Sequence, residues 1–292
     1  MTDTVDLSGL ARHPWNRDFT WSVSPPPHGS LTDHQVARFD RDGFVVVPDV
    51  FDAAEVAAVV AEIDGFDREV DAFLREQDGQ RFTIAESGAI TFMTHLVTRS
   101  ERLAAFSRHP FFVGACADLI GPDVNLYWDQ GVYKKPEKPR RFPWHQDNGY
   151  AFVEPQQYLT CWVALTDATI GNGCPQVACG LHRAGTLVHT YVDPLGFECL
   201  TDPAAVGAEV AVAEVAAGGV VVFSSLTPHL TGPNLTDPHL PGAVRKAYIL
   251  QYAPEGATVL HGDPSREPSS RVPADDPARQ YPVVRGGRRV EA

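Results

Sequence analysis

The stretch "GGVVVFSSLTPHLTGPNLT", residues 218–236, decides the reading of this 292-residue chain. The apolar run Val220 to Phe223 has the length and the β-branched content of a buried strand, and the glycines before it supply a turn. His229 follows within a few residues, where such a strand leaves the core. A second histidine lies upstream in "FPWHQDNGY", residues 142–150, with Asp147 two positions after His145. Side chains at i and i+2 of a strand share a face, about 6.6 Å apart along the backbone. His145 and Asp147 can therefore meet one ion from one strand or its end. The triplet alone fits equally a buried histidine beside a surface acid. Two histidines and a carboxylate on one face of an octahedron leave three positions open, the arrangement of non-heme Fe(II) oxygenases. A set without thiolates and with open positions is a poor structural zinc site.

Outward from this stretch the chain is β-rich. From about residue 123 come "NLYWDQGVYKK", "YLTCWVALTDA", "PQVACG", "AEVAVAEV", "GGVVVFSS" and "RKAYILQYA", short runs broken by Gly, Pro, Asn and Asp. That texture predicts a sandwich or barrel. Helices precede it. "LTDHQVARFDRDGF" predicts a short helix capped by Thr32 and stopped by glycine, "FVVVPDVF" a strand ended by proline, and "DAAEVAAVVAEIDGFDREVDAFLREQ" a long helix. A further helical stretch covers roughly 99–120. The expected organisation is an N-terminal arm over 1–30, a single domain over 31–261 and a C-terminal tail over 262–292. Within the domain, 31–120 is the helical part and 121–261 the β-core. The tail is expected either to pack in extended form on the surface or to lack fixed structure in part.

The bulk numbers bound the function. Hydrophobic residues make up 43% and charged residues 21%, ordinary for a globular protein. The net charge of −13 argues against a nucleic-acid surface and leaves room for a small anionic ligand in a locally basic pocket. No apolar run is long enough to span a bilayer. The start of the chain lacks the charged-then-apolar pattern of a signal peptide, so a cytoplasmic location is expected. The five cysteines are an odd number at scattered positions and read as reduced thiols packed as small apolar groups. "NLT" at Asn234 is a formal glycosylation sequon that has no meaning without secretion.

A counter-charge completes the constellation. Arg245 opens the alternating strand "AVRKAYILQYA", and its guanidinium can grip a keto-acid carboxylate through two parallel hydrogen bonds; a solvated strand-end arginine is the plainer alternative. The motifs "WHQD", "LTCWVALTDATIGNGCPQVACGLHR", "HLTGPNLT" and "RKAYILQY", with the opening "LTDHQVARFDRDGFVVVPDVF", resemble the phytanoyl-CoA dioxygenase family in family order, from about residue 32 to 254. The resemblance implies a mainly β fold with flanking helices around a double-stranded β-helix, the jelly roll of cupin-like proteins. It implies an oxygenase using Fe(II), 2-oxoglutarate and O2. It assigns His145, Asp147 and His229 to iron and Arg245 to the far carboxylate of 2-oxoglutarate. Thr231 stands where the family has a hydroxyl residue, Gln130 and Lys134 read as cosubstrate or pocket residues, and Trp162 reads as a cosubstrate neighbour or as plain core. The family usually reads "PGSH" where this chain has Cys179-Gly180-Leu181-His182, and "DPHLPGAV", residues 237–244, lengthens the interval from His229 to Arg245.

The implied partner is a small organic substrate, hydroxylated in a bacterial specialised pathway, with no nucleic acid and no membrane; oligomeric state is not readable. Asp147 occupies the position that halogenases keep small for chloride, which argues against halogenation. Desaturation, ring formation and epimerisation share the same iron chemistry. A non-catalytic jelly-roll binding protein, and a Zn(II) or Ni(II) enzyme without a keto acid, are the readings from other classes. Tyr150, Phe152 and Tyr158 are offered as pocket wall or core. Lys134, Lys135, Lys138, Arg140 and Arg141 form a basic run that either attracts an anionic substrate or is a solvated loop.

Overall fold

Thr32 accepts a hydrogen bond from the Gln35 amide, and the Gln35 side chain accepts one from the Thr32 amide. This reciprocal cap starts helix α1, Asp33–Asp42. Gly43 ends it at φ +85°, a left-handed conformation in which a Cβ would also lie 2.5 Å from the His182 ring. Asp52 and Glu55 cap helix α2, Ala53–Arg75, in the same way. The stretch expected to be helical over 99–120 divides into Glu101–Phe106 and Pro110–Leu119, because proline suits a first turn and not a helix interior.

The computed structural model describes residues 9–192 and 197–291. Its strands form a double-stranded β-helix. One antiparallel sheet has the order Phe44–Val47, Val220–Ser224, Leu159–Ala164, Arg245–Pro254, Val124–Lys134, Ile90–Thr94, followed by two short strands. Facing it is a four-stranded sheet in the order Val210–Val212, Pro175–Ala178, His229–Thr231, Phe142–His145. Antiparallel register fixes which side chains share a face. Leu159, Cys161, Val163, Val222, Tyr248, Leu250 and Tyr252 point outward and join the core under α2 and Pro110–Leu119. Each fully buried Leu, Ile or Phe there contributes about 1.5–3 kcal/mol. Gly131 lets α2 close on this face, since a Cβ there would lie 2.9 Å from Ile63. Trp162, Ala164, Val221, Phe223 and Ala247 point inward, with Phe44 and Val177, into a second cluster between the sheets.

The segments flanking this core are built into it. Trp15 is buried against Phe152, and its indole N–H donates to the Arg266 carbonyl. Pro282–Arg285 pairs with the Val124–Lys134 strand, and Tyr281, Val283 and Val284 belong to the outer core. Residues 1–8 of the expected arm and residue 292 of the expected tail lie outside the described residues. All five cysteines are free and four are buried. No helix among the described residues is long and apolar enough to cross a membrane.

Candidate metal centre

His145 ends its strand and His229 opens the neighbouring one, and the two are direct partners across the antiparallel ladder. Their rings lie 4.0 Å apart, centroid to centroid. The strand stops at His145, so Asp147 reaches the same point from the first residue of a 3-10 turn, Asp147–Gly149, and not from a continuing strand. Asp147 Oδ1 is 3.8 Å from His145 Nε2 and 4.0 Å from His229 Nε2. These separations are too long for hydrogen bonds and suit three atoms that share an ion. Among the described residues, this is the group of His, Cys, Asp or Glu side chains whose ligand atoms converge, all within 4.8 Å of one another.

Both imidazoles are set for metal binding. His145 Nδ1 lies 2.9 Å from the Pro143 carbonyl and His229 Nδ1 lies 3.0 Å from the Thr227 carbonyl. Each Nδ1–H therefore donates to backbone and leaves the Nε2 lone pair free. Burial, and then the neighbouring His229, hold His145 well below the usual imidazole range, which keeps it neutral. Asp147 is restrained by Thr160, whose hydroxyl donates to Oδ2 at 2.5 Å, and the Gln251 amide donates to that hydroxyl at 3.3 Å. Oδ1 remains for an ion. Two imidazoles that present Nε2 and one carboxylate oxygen, with an open side, fit Fe(II).

The residues between the ligands anchor the turn. Gln146 donates to the Gly185 and Leu226 carbonyls and accepts from the Leu187 amide. Asn148 donates to Thr186 and accepts from the Val153 amide. Alternate residues of "HQDN" thus face the ion position and the scaffold. His189 lies under the turn, accepting from the Gln146 amide, and a Cβ at Gly149 would lie 2.1 Å from its ring.

Arg245, Trp162, Gln130 and Lys134 all lie on the inner face of the larger sheet. The register pairs Arg245 with Lys134, and Ile249 with both Gln130 and Trp162. Arg245 is 1% exposed and its guanidinium lies 5.0 Å above the Trp162 ring. Nη1 makes one long contact with the Val132 carbonyl, while Nε and Nη2 are buried without partners. Burial pushes this guanidinium down to about 9, the mark of a cation without its counter-anion. Lys134 is also buried, but its ammonium donates to the carbonyls of Arg140, Thr231 and Gly232. All three of its donors are thereby engaged with backbone. Thr231 shares the inward side of its strand with His229, since Leu230 between them packs outward against Trp144.

The structure separates the remaining candidates. Phe152 and Tyr158 are core residues, whereas Tyr150 is 38% exposed with its ring 5.4 Å from that of His145. The basic run is largely neutralised: Lys135 pairs with Asp67 and Asp71 of α2, and Lys138 and Arg140 pair with Glu86. His182 is buried against Trp21, away from the triad. A cleft of about 1070 Å³ between the N-terminal segment and Glu154–Gln157 holds none of the three ligands. Sequence reasoning missed Thr160, Gln146, Asn148 and Gln251, polar residues whose roles exist only across strands.

A double-stranded β-helix carrying two histidines and a carboxylate on one open face is the ground plan of the mononuclear non-heme iron oxygenases. The chain belongs to the phytanoyl-CoA dioxygenase (PhyH) family, whose match spans residues 39–239. It is 31% identical over 160 residues to the ectoine dioxygenase of Bordetella parapertussis, covering 53% of this chain and 50% of that protein. The chain thus spans about half the length of the first curated relatives it matches. Among solved structures it is similar to the carbocyclase SnoK from nogalamycin biosynthesis, with a TM-score of 0.69 at 20% identity over 89% of this chain and 100% of that one. The epimerase SnoN, in complex with Fe3+, alpha ketoglutarate and nogalamycin RO, gives 0.63 at 22% identity over 86% and 97%. These two likenesses show the fold.

Proposed function

We propose that the protein is an Fe(II)- and 2-oxoglutarate-dependent oxygenase that hydroxylates a small organic molecule, in a pathway of bacterial specialised metabolism. The observation that carries the reading is the pairing of an open His145–Asp147–His229 face with a buried Arg245 on the opposing sheet, two of whose nitrogens have no partner. His145, His229 and Asp147 hold the ion, and Arg245 offers Nε and Nη2 to the far carboxylate of the keto acid. Trp162 packs under that guanidinium and fixes its direction. Thr231 lies on the same side as His229 and Gln130 on the inner face of the larger sheet, while Lys134 ties two loops together beside Arg245, its ammonium disfavoured by burial and by that neighbouring guanidinium. Bound iron supplies the activation of dioxygen against the keto acid. The protein's share is to orient the keto acid and the substrate and to keep water out with Phe223, Tyr158 and Trp162.

The test is succinate formation from 2-oxoglutarate under O2 with added Fe(II). Wild type is expected to release succinate, and His229→Ala and Arg245→Met to lose that release. Equal turnover in all three would refute the assignment. Product analysis with an accepted substrate then separates hydroxylation from desaturation, cyclisation or epimerisation.

A further inference from the structure

The family match begins at residue 39, yet residues 11–16 are tied to the metal turn. The loop from Ala184 to His189 lies between the two. On one side the N-terminal segment runs along this loop as an added edge. The His13 amide donates to the Thr186 carbonyl, the Val188 amide donates to the Ala11 carbonyl, and Arg12 pairs with Leu187 in an antiparallel bridge. On the other side the loop grips the turn that carries Asp147. Gln146 donates to the Gly185 carbonyl and accepts from the Leu187 amide, and His189 accepts from the Gln146 amide.

A chain of buried side chains passes through the loop and joins its two sides. Asn16 donates to the Ala184 and Thr186 carbonyls at 2.8 and 2.9 Å, and its side-chain oxygen accepts from Gln156 Nε2 at 3.3 Å. Gln156 Oε1 accepts from the Thr186 amide at 2.9 Å and from the Thr186 hydroxyl at 2.8 Å. That hydroxyl has given its one proton to Gln156, so it accepts from Asn148 Nδ2, at 2.6 Å. Asn148 Oδ1 takes the Val153 amide, and Asn148 follows Asp147 directly. Asn16, Gln156, Thr186 and Asn148 are each at most 8% exposed. Gly185 makes room for the first of them: it sits at φ +76°, and a Cβ there would lie 2.5 Å from the Asn16 amide nitrogen. A buried network satisfied in one arrangement resists any shift of its members, because a shift breaks several bonds at once.

We infer that residues 11–16 are a positioning element of the metal centre, and that Asn16 acts on Asp147 through Gln156, Thr186 and Asn148. None of these four side chains is assigned to the ion or to the keto acid. Their part is to fix the turn, so that Asp147 Oδ1 faces the two Nε2 atoms before an ion arrives. Cutting the network leaves the ion to order the carboxylate itself, which weakens binding. The inference rests on the metal-centre reading above.

The experiment is titration of the full chain with Co(II), read by calorimetry and by the visible absorption of the bound ion. Asn16→Ala and Thr186→Val are expected to bind Co(II) about 10-fold more weakly than wild type, the scale on which outer partners of a metal site act. Their bound Co(II) is expected to show an altered absorption spectrum, because the carboxylate is no longer held in one orientation. Thr186→Ser keeps the hydroxyl and should restore both affinity and spectrum. Ser107→Ala cuts a buried bond to Tyr281 in the outer core; it should lower the melting temperature and leave Co(II) affinity within about twofold of wild type. Coupling is reciprocal, so Co(II) should slow amide exchange over residues 11–16 and 184–188 of wild type, a measurement that needs no variant to fold. Wild-type affinity and spectrum in Asn16→Ala and Thr186→Val, an equal loss in Thr186→Ser or in Ser107→Ala, or exchange over 11–16 that Co(II) leaves unchanged would each overturn the proposal. If wild type takes up no Co(II), the metal-centre reading itself fails, and that failure shows before any variant is compared.

Discussion

Replacing Thr160 by valine removes one hydroxyl and almost no volume, and it isolates the restraint on Asp147. Thr160 is 1% exposed and its hydroxyl donates to the carboxylate Oδ2 at 2.5 Å. A hydrogen bond to a charged group contributes about 1.5–3 kcal/mol. That corresponds to a loss of about 10- to 100-fold in metal affinity if the bond serves mainly to hold Oδ1 toward the ion. The contact from Gln251 to the same hydroxyl is long, at 3.3 Å, and adds little. Mn(II) affinity measured by calorimetry should fall by that factor in Thr160→Val and recover in Thr160→Ser, which keeps the donor. Secondary structure and melting temperature should change little, because the isostere fills the same space. Affinity within twofold of wild type would refute the idea that Thr160 fixes the ligand, and a loss in the serine variant as large as in valine would assign the effect to packing.

Three further outcomes follow from the same geometry. Arg245→Met should weaken 2-oxoglutarate binding at least 30-fold, as truncation of a buried charge pair costs about 2–5 kcal/mol; yet the ligand-free protein should melt no lower, since two buried guanidinium nitrogens without partners disappear. Lys134→Met should instead lower the melting temperature, because three carbonyls lose a buried donor. His182 is pushed down to about 4 by burial. The unfolded chain therefore takes up a proton below its ordinary 6.5 that the native ring refuses, and stability present above pH 6.5 is lost as pH falls toward 4. About 3 kcal/mol goes over that window, and denaturant titrations of His182→Gln should show a shallower decline.

The helices were legible because their signals are local. Thr32 with Gln35 and Asp52 with Glu55 are caps within four residues, and the structure forms both. The strands were legible as β-branched runs, and "HQD" and "TPH" mark side chains that end or open strands beside each other. What stayed hidden is what only register creates. Thr160 is an ordinary residue of an apolar strand until Asp147 arrives from another sheet. Nothing in "NLYWDQG" announces the bulge at Tyr127, because the skipped residue is defined by its partner strand. Lys134 reads as a pocket cation by composition, and only the carbonyls converging on it from two loops reveal a structural tie. Arg279 lies in the polar 262–292 stretch, yet that stretch contributes a strand to the main sheet and a turn beside Trp128.

The most direct measurement is anomalous diffraction at the iron edge from crystals grown anaerobically with Fe(II) and 2-oxoglutarate. The account predicts one iron peak bonded to His145 Nε2, Asp147 Oδ1 and His229 Nε2, with keto-acid density running from it toward Arg245. An iron peak elsewhere, a peak lacking any one of these three ligands, or a keto acid that leaves Arg245 untouched would contradict it.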